Sequence, residues 1–169
     1  MASLTQLFAA IGKNNLLQVK KQRWEDWMIN FPTSPFANSH TCKTPLTYAC
    51  EISDIRIVKY LLEKKAKVNG VPKEDYTPLW GACVSRNKEI VDLLLEKKAK
   101  INKANGSGMT AVFGAVQSDN VKLVKYLESK GADLNVKCPK GGLVRCHLCQ
   151  QLSKMFGVLC GKEVGDGHV

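Results

Sequence analysis

At 169 residues the chain fits one or two ordinary domains and is long enough to bury a core without disulfide staples. Its residues, 44% hydrophobic and 24% charged, exclude wholesale disorder and a collagen-like chain, and no apolar run approaches the roughly 20 residues of a membrane-spanning helix. The 25 Lys and Arg against 15 Asp and Glu give a net +10, which permits attraction to nucleic acid, anionic lipid or an acidic protein surface and selects none of them. Seven cysteines, odd in number and scattered, with no basic leader ahead of an apolar stretch, predict a reducing intracellular setting, cytoplasmic or nuclear, over secretion.

Comparing the chain with itself supplies the frame: segments that begin at Thr44, Thr77 and Thr110 recur every 33 residues. Ahead of them, Leu4 to Ala9 opens a divergent unit in a register 41 residues before Thr44, one repeat plus an eight-residue insertion. Gly12 and Leu16-Leu17 match the turn and the start of its second helix, and Leu17, Trp24, Trp27, Met28 and Phe31 are expected to extend one helical face. Pro32 is a stop, and the Pro-Thr-Ser-Pro-Phe-Ala-Asn-Ser-His run after it reads as a loop.

In the repeats proper, Thr44 and Thr77 can cap a helix, with Pro45 and Pro78 at the first helical position, where a missing N–H does no harm. Small residues Ala49, Ala82 and Ala115, followed by Cys50, Cys83 and Val116, let this first helix approach its neighbour. Ile57, Val58, Leu61 and Leu62, and likewise Ile90, Val91, Leu94 and Leu95, then return on a helical period and predict a second helix with an apolar stripe. Lys64, Lys65, Lys97 and Lys98 fall in its last turn, where positive charge complements the helix dipole. Val68-Asn69, Ile101-Asn102 and Leu134-Asn135 lead into extended, projecting connections. Gly81 and Gly114, each after a bulky aromatic (Trp80, Phe113), predict close helix packing, since glycine inside a helix is otherwise unfavourable by about 1 kcal/mol. Towards the end, Gly141 and Cys149 keep the register and predict a further first helix near Leu143–Leu152. Gly157 and Gly161 interrupt its partner, and the last five residues fray.

The Thr-Pro-Leu start, the internal Ala-Cys pair, the Ile-Val-x-x-Leu-Leu run and the closing Ala-x-Val/Ile/Leu-Asn, all at one period, closely resemble the ankyrin-repeat family. The resemblance is strongest over residues 44–135. It implies an all-α solenoid of stacked helical hairpins with projecting loops and a noncatalytic role as a protein-binding scaffold or adaptor. It divides the chain into a divergent capping repeat (1–43), three repeats (44–135) and a partial repeat with an irregular tail (136–169). Two features depart from the family pattern. Where the family ends its second helix with Gly-Ala-Asp, this chain has Lys65-Ala66-Lys67 and Lys98-Ala99-Lys100, and only the third repeat has Gly131-Ala132-Asp133. The family histidine after Thr-Pro-Leu is replaced by Thr47 and Trp80, with Phe113 in the third unit. A side chain at a left-handed position, or a lost cap, costs on the order of 1 kcal/mol.

Stacking places equivalent loop and first-helix positions side by side. The candidate contacts for a protein partner are therefore Lys43, Lys73, Tyr76 and Met109 in the loops, with His40 nearby, and Glu51-Ile52, Val84-Ser85 and Gln117-Ser118 at the first-helix ends. Tyr76 and Met109 are either apolar anchors for the partner or packing between adjacent loops. Lys64, Lys65, Lys67, Lys97, Lys98, Lys100 and Lys130 form a stripe that offers an alternative, salt-sensitive binding to nucleic-acid phosphates, though aromatic and Arg-rich base-reading geometry is not evident.

Cys146-His147-Leu148-Cys149, with Cys138, Cys160 and His168, has zinc-donor chemistry but lacks paired Cys-x-x-Cys spacing, and Cys149 falls on the repeat position of Cys50 and Cys83. A structural cysteine is the preferred reading, and no metal or other cofactor is expected. Asn105-Gly106-Ser107 has the form of a glycosylation acceptor and reads better as a tight turn. With His40, His147 and His168 scattered and no phosphate cradle or nucleophile elbow, nothing supports an enzyme.

Overall fold

The computed structural model describes residues 3–21, 24–32, 42–71, 76–105 and 108–134. Among them the elements are all helical, in the order α1 (Leu4–Gly12), α2 (Leu16–Lys21), α3 (Asp26–Asn30), α4 (Pro45–Ile52), α5 (Ile55–Glu63), α6 (Pro78–Val84), α7 (Lys88–Glu96), α8 (Ala111–Gln117) and α9 (Val121–Ser129). No helix among the described residues is long and apolar enough to cross a membrane.

Each hairpin is specified by its ends. Ser3 opens α1 with a reciprocal pair: its N–H donates to the Gln6 carboxamide and its hydroxyl accepts the Gln6 N–H. Thr44 and Thr77 accept from the N–H groups of Thr47 (3.3 Å) and Trp80 (3.2 Å), with proline at the next position as expected. The third repeat differs. Ala111 replaces proline, Thr110 makes no capping bond, and its buried hydroxyl has no hydrogen-bond partner.

Between the two helices of each unit one residue turns left-handed: Asn14, Ser53, Arg86 and Asp119, with φ between +50° at Asn14 and +71° at Ser53. The next residue, Asn15, Asp54, Asn87 or Asn120, caps the second helix through its side chain.

The second helices end two residues earlier than the lysine pattern suggests, at Glu63 and Glu96. Lys64 and Lys97 are C-caps, and Lys65 (φ +62°) and Lys98 (φ +64°) lie beyond the helix in the left-handed region, where the third repeat has Gly131 (φ +88°). The reason is the hydrogen bonding of the stop. Ala66 N–H reaches back to Leu61 O while Lys65 N–H bonds Leu62 O, and the same pair recurs at Ala99 and Lys98 and at Ala132 and Gly131.

The first unit also corrects an expectation. Leu17 to Phe31 do not form one helical face: α2 stops at Lys21 and α3 is a separate short helix. Trp24 is buried, its indole N–H donating to Val19 O, whereas Leu17 (79%), Trp27 (52%) and Phe31 (50%) are exposed. The apolar residues between these helices do not repeat at a constant angle, so they split between core and solvent.

One apolar core runs from Leu7 through Leu46, Ile57, Leu79, Ile90, Val112 and Leu123 to Ala132. The first helices stack as α1, α4, α6 and α8 and form the denser layer, and α2, α5 and α7 pack beside them. Two glycines set the spacing. A Cβ on Gly81 would stand 3.0 Å from Thr47 O, and one on Gly114 would stand 2.8 Å from Trp80 O. Because the obstacle is backbone, it cannot swing aside. A second ladder joins the hairpins at their other edge. Asn30 Oδ1 accepts from Lys67 N–H (2.8 Å), Asn69 Oδ1 from Lys100 N–H (2.7 Å), and Asn102 Oδ1 from Asp133 N–H (2.8 Å).

Gly114→Ala is expected to lower stability in urea unfolding by about 1–3 kcal/mol, the usual range for forced overpacking. Thr77→Val loses a cap and costs about 1 kcal/mol, whereas Thr110→Val removes an unpartnered hydroxyl and is expected to leave the unfolding midpoint unchanged or raised.

The Arg56 guanidinium donates to the Asp54 carboxylate and, with the N–H groups of Arg56 and Ile57, holds it below the ordinary value of 3.8 against the opposing effect of burial. A depressed folded value means that this contribution is complete above 3.8 and is lost as pH falls through the lower folded value. Asp54→Asn keeps a cap of the kind Asn87 and Asn120 provide. It is expected to flatten the acid limb of the stability curve, measured by urea unfolding in a pH series below 3.8.

Candidate protein-binding surface

The candidate surface lies along the stacked first helices and the loops that enter them. Lys43, in the loop before α4, reaches along that helix to form an ion pair with Glu51 at 2.7 Å, and both are largely covered. Its ammonium also sits 5.6 Å from the centre of the Tyr76 ring. Tyr76, half-buried, stacks on Trp80 with ring centroids 3.9 Å apart. Lys43, Glu51, Tyr76 and Trp80 thus form one patch across the α4–α6 groove, floored by Gly81, where a Cβ would meet Glu51 Cγ at 3.1 Å. Much of Tyr76 and Lys43 is used to pack adjacent loops, which leaves one edge of that patch open.

Met109 is half-buried and held by Asn105, whose N–H donates to Met109 O and whose side-chain oxygen accepts the Met109 N–H at 2.7 Å. Gly108 (φ +74°) lies in the same turn, its N–H on Asn105 O. Gly106 and Ser107, on which the turn reading falls, lie outside the described residues, as do Lys73 and His40.

At the far ends of the first helices, consecutive repeats are stitched together. The Asn87 side chain donates to Ser53 Oγ at 2.8 Å. Ser118 donates to Cys83 O at 3.1 Å and lies near Ala115 O at 3.0 Å. With only 8% of its surface exposed, Ser118 is a packing residue and not a contact for a partner, which corrects the sequence expectation. Its neighbour Gln117 is exposed, Val84 is half-buried, and half-buried Ser85 returns its hydroxyl to Ala82 O. Gln117 is therefore the exposed member of the row, with Ile52, Val84 and Ser85 half-buried and Glu51 held in its ion pair with Lys43.

Two participants carried a signal that their residue types alone conceal. Tyr48 occupies the position of Gly81 and Gly114. It packs against Phe8 at 5.5 Å between ring centroids and fills the space beside Gly12. Burial, and then the nearby Glu51 carboxylate, push its phenol above the ordinary value, so it stays neutral. The asparagine ladder is legible afterwards as an Asn closing each unit, at Asn30, Asn69 and Asn102. Burial likewise pushes the Cys83 thiol up to about 12, so it serves as a small apolar side chain.

The seven stripe lysines, Lys64, Lys65, Lys67, Lys97, Lys98, Lys100 and Lys130, are all exposed. They lie at the ends of the second helices and just beyond. The cysteines and histidines considered as zinc donors, and the partial C-terminal repeat, lie outside the described residues.

The comparisons with known proteins agree with this geometry. A family model of ankyrin repeats matches residues 7–105 as three copies, more than half of the chain. None of the curated proteins matches it. Stacked two-helix units, proline-led first helices, left-handed stops and a matching family model together place the chain in the ankyrin-repeat family, a family of protein–protein interaction modules.

Proposed function

We propose that the chain is a noncatalytic scaffold or adaptor that holds a partner protein along the first-helix row and its entering loops, inside the cell. The observation that carries this reading is the single apolar core from Leu7 to Ala132, which fixes the repeats in register. A surface whose backbone is already fixed loses less conformational entropy on binding than a flexible one, and this favours recognition by a long shallow face. Glu51 and Ile52, Val84, Met109 and Gln117 supply the mixture of apolar and polar contact that such a face requires. The Lys43–Glu51 pair, with Tyr76 on Trp80, keeps the groove between α4 and α6 in one shape.

Proximity labelling with the full chain in cells, followed by binding of the recovered proteins to purified chain, tests the reading. Val84→Arg with Gln117→Arg is expected to weaken the partner's binding at least about tenfold, as loss of an interface centre does, while the thermal midpoint stays unchanged. Retention of binding by that double variant would show that the partner sits elsewhere.

A further inference from the structure

The least explained surface is the edge formed where the second helices end. At its first hairpin two separate contacts bring the lysine row up to exposed apolar side chains. The Tyr60 ring lies 5.8 Å from Lys20 Nζ of α2 and 5.7 Å from Lys64 Nζ, so these two cations converge. Leu17, 79% exposed, is one helical turn from Lys20 and Lys21 on α2. Asn30, the last residue of α3, binds the turn after α5, with its amide on Lys65 O at 3.4 Å and its oxygen on Lys67 N–H at 2.8 Å. Trp27 and Phe31, both about half exposed, form an edge-to-face pair at 5.8 Å beside that bond. Lys20 and Lys21 thus share α2 with Leu17, and Asn30 ties the backbone of Lys65 and Lys67 to α3, which carries Trp27 and is followed by Phe31. None of these lysines is in an ion pair among the described residues.

Backbone geometry adds an independent observation. Lys65 and Lys98 occupy left-handed positions, where glycine is the unstrained residue and stands in the third repeat. At these two helix stops, therefore, charge is present where conformation favours a residue without a side chain. Glu25, whose carboxylate accepts the Trp27 indole N–H, Glu63 and Glu96 are the neighbouring carboxylates, and in the third repeat Glu128 and Asp133 offset Lys130, so Lys20, Lys21, Lys64, Lys65 and Lys67 outnumber the carboxylates at the Trp27 end.

We infer that this edge binds the surface of an anionic phospholipid membrane, with Trp27, Phe31 and Leu17 entering the headgroup region and the lysines resting on the lipid phosphates and carboxylates. Exposed Trp and Phe beside a lysine cluster combine the apolar and electrostatic terms of interfacial binding. Single-stranded nucleic acid, which shares the charge chemistry, needs open ring faces along a groove. The rings spaced along this edge, Tyr60 and Tyr126, are instead accompanied by lysine ammoniums, with Lys88 and Lys130 at 4.2 and 5.5 Å from Tyr126. Among the described residues, the open aromatics are Trp27 and Phe31, paired at one end.

The test is flotation of the full chain with phosphatidylcholine vesicles containing roughly one-third phosphatidylserine, with pure phosphatidylcholine vesicles and a single-stranded RNA oligonucleotide as the other arms. Binding is expected only to the anionic vesicles, with a blue shift of tryptophan emission and weakening as salt rises. Lys65→Gly with Lys98→Gly is expected to melt at or above the wild-type temperature and yet bind these vesicles about tenfold or more weakly, which separates charge from folding. Trp27→Ala with Phe31→Ala is expected to lose the blue shift at unchanged stability. Equal binding to neutral vesicles, no vesicle binding, tighter binding to the RNA at the same salt, or undiminished vesicle binding by the Lys→Gly double variant would each overturn the proposal. Because neither double variant touches Val84 or Gln117, failure here leaves the protein-binding reading standing.

Discussion

The close approach of successive first helices is the constraint on which the rest of this structure depends. Gly81 and Gly114 remove the side chain where one helix backbone meets the next, and Ala49, Ala82 and Ala115 keep the flanks small. A Cβ in contact with a carbonyl oxygen cannot be relieved by a rotamer change, so an added methyl group would part the backbones themselves. The spacing set there keeps Cys83 O within reach of Ser118 and Ser53 Oγ within reach of Asn87. It also brings the loop before α6 over the end of α4, so that Lys43 can lie between Glu51 and Tyr76.

Polar groups divide the work of registration from the work of adhesion. The core is apolar and continuous, and an apolar seam alone tolerates sliding because dispersion and hydrophobic terms are non-directional. Direction comes from the ends. Left-handed residues close each turn, Asp54 or an asparagine caps each second helix, and Asn30, Asn69 and Asn102 each reach into the next unit. The third repeat keeps this hardware least completely at its start, where Thr110 has neither a cap bond nor a following proline. At its stop it alone has the glycine that the left-handed geometry favours.

Two surfaces with different chemistry result. Along the first helices, charge is largely paired and rings are stacked, which suits a shaped, mixed contact with another protein. Along the ends of the second helices, lysines stand exposed outside the ion pairs found among the described residues, beside an aromatic pair and a leucine that the core does not absorb. Conformational strain at Lys65 and Lys98 lies on the second surface and not on the first.

The period of 33 residues, the helical hairpin, the threonine caps with their prolines and the tight packing at the glycines were all legible in the sequence, because each is a local rule repeated in register. Repetition turned weak signals into a frame, and the matching family model covers the same frame. What only the tertiary structure decided lies between units. Ser118 is equivalent by position to half-buried Ser85, yet it is buried because its hydroxyl turns to the carbonyl of the preceding repeat. Trp24 and Trp27, three residues apart, part into core and solvent because α3 begins between them, at Asp26, and Trp24 donates back to Val19. The joining of α3, which carries Trp27, to the turn at Lys65 and Lys67 depends on two bonds of one asparagine, Asn30, across 35 and 37 residues of chain. Such contacts combine burial, direction and distance in three dimensions, and a one-dimensional pattern records only the residues that make them available.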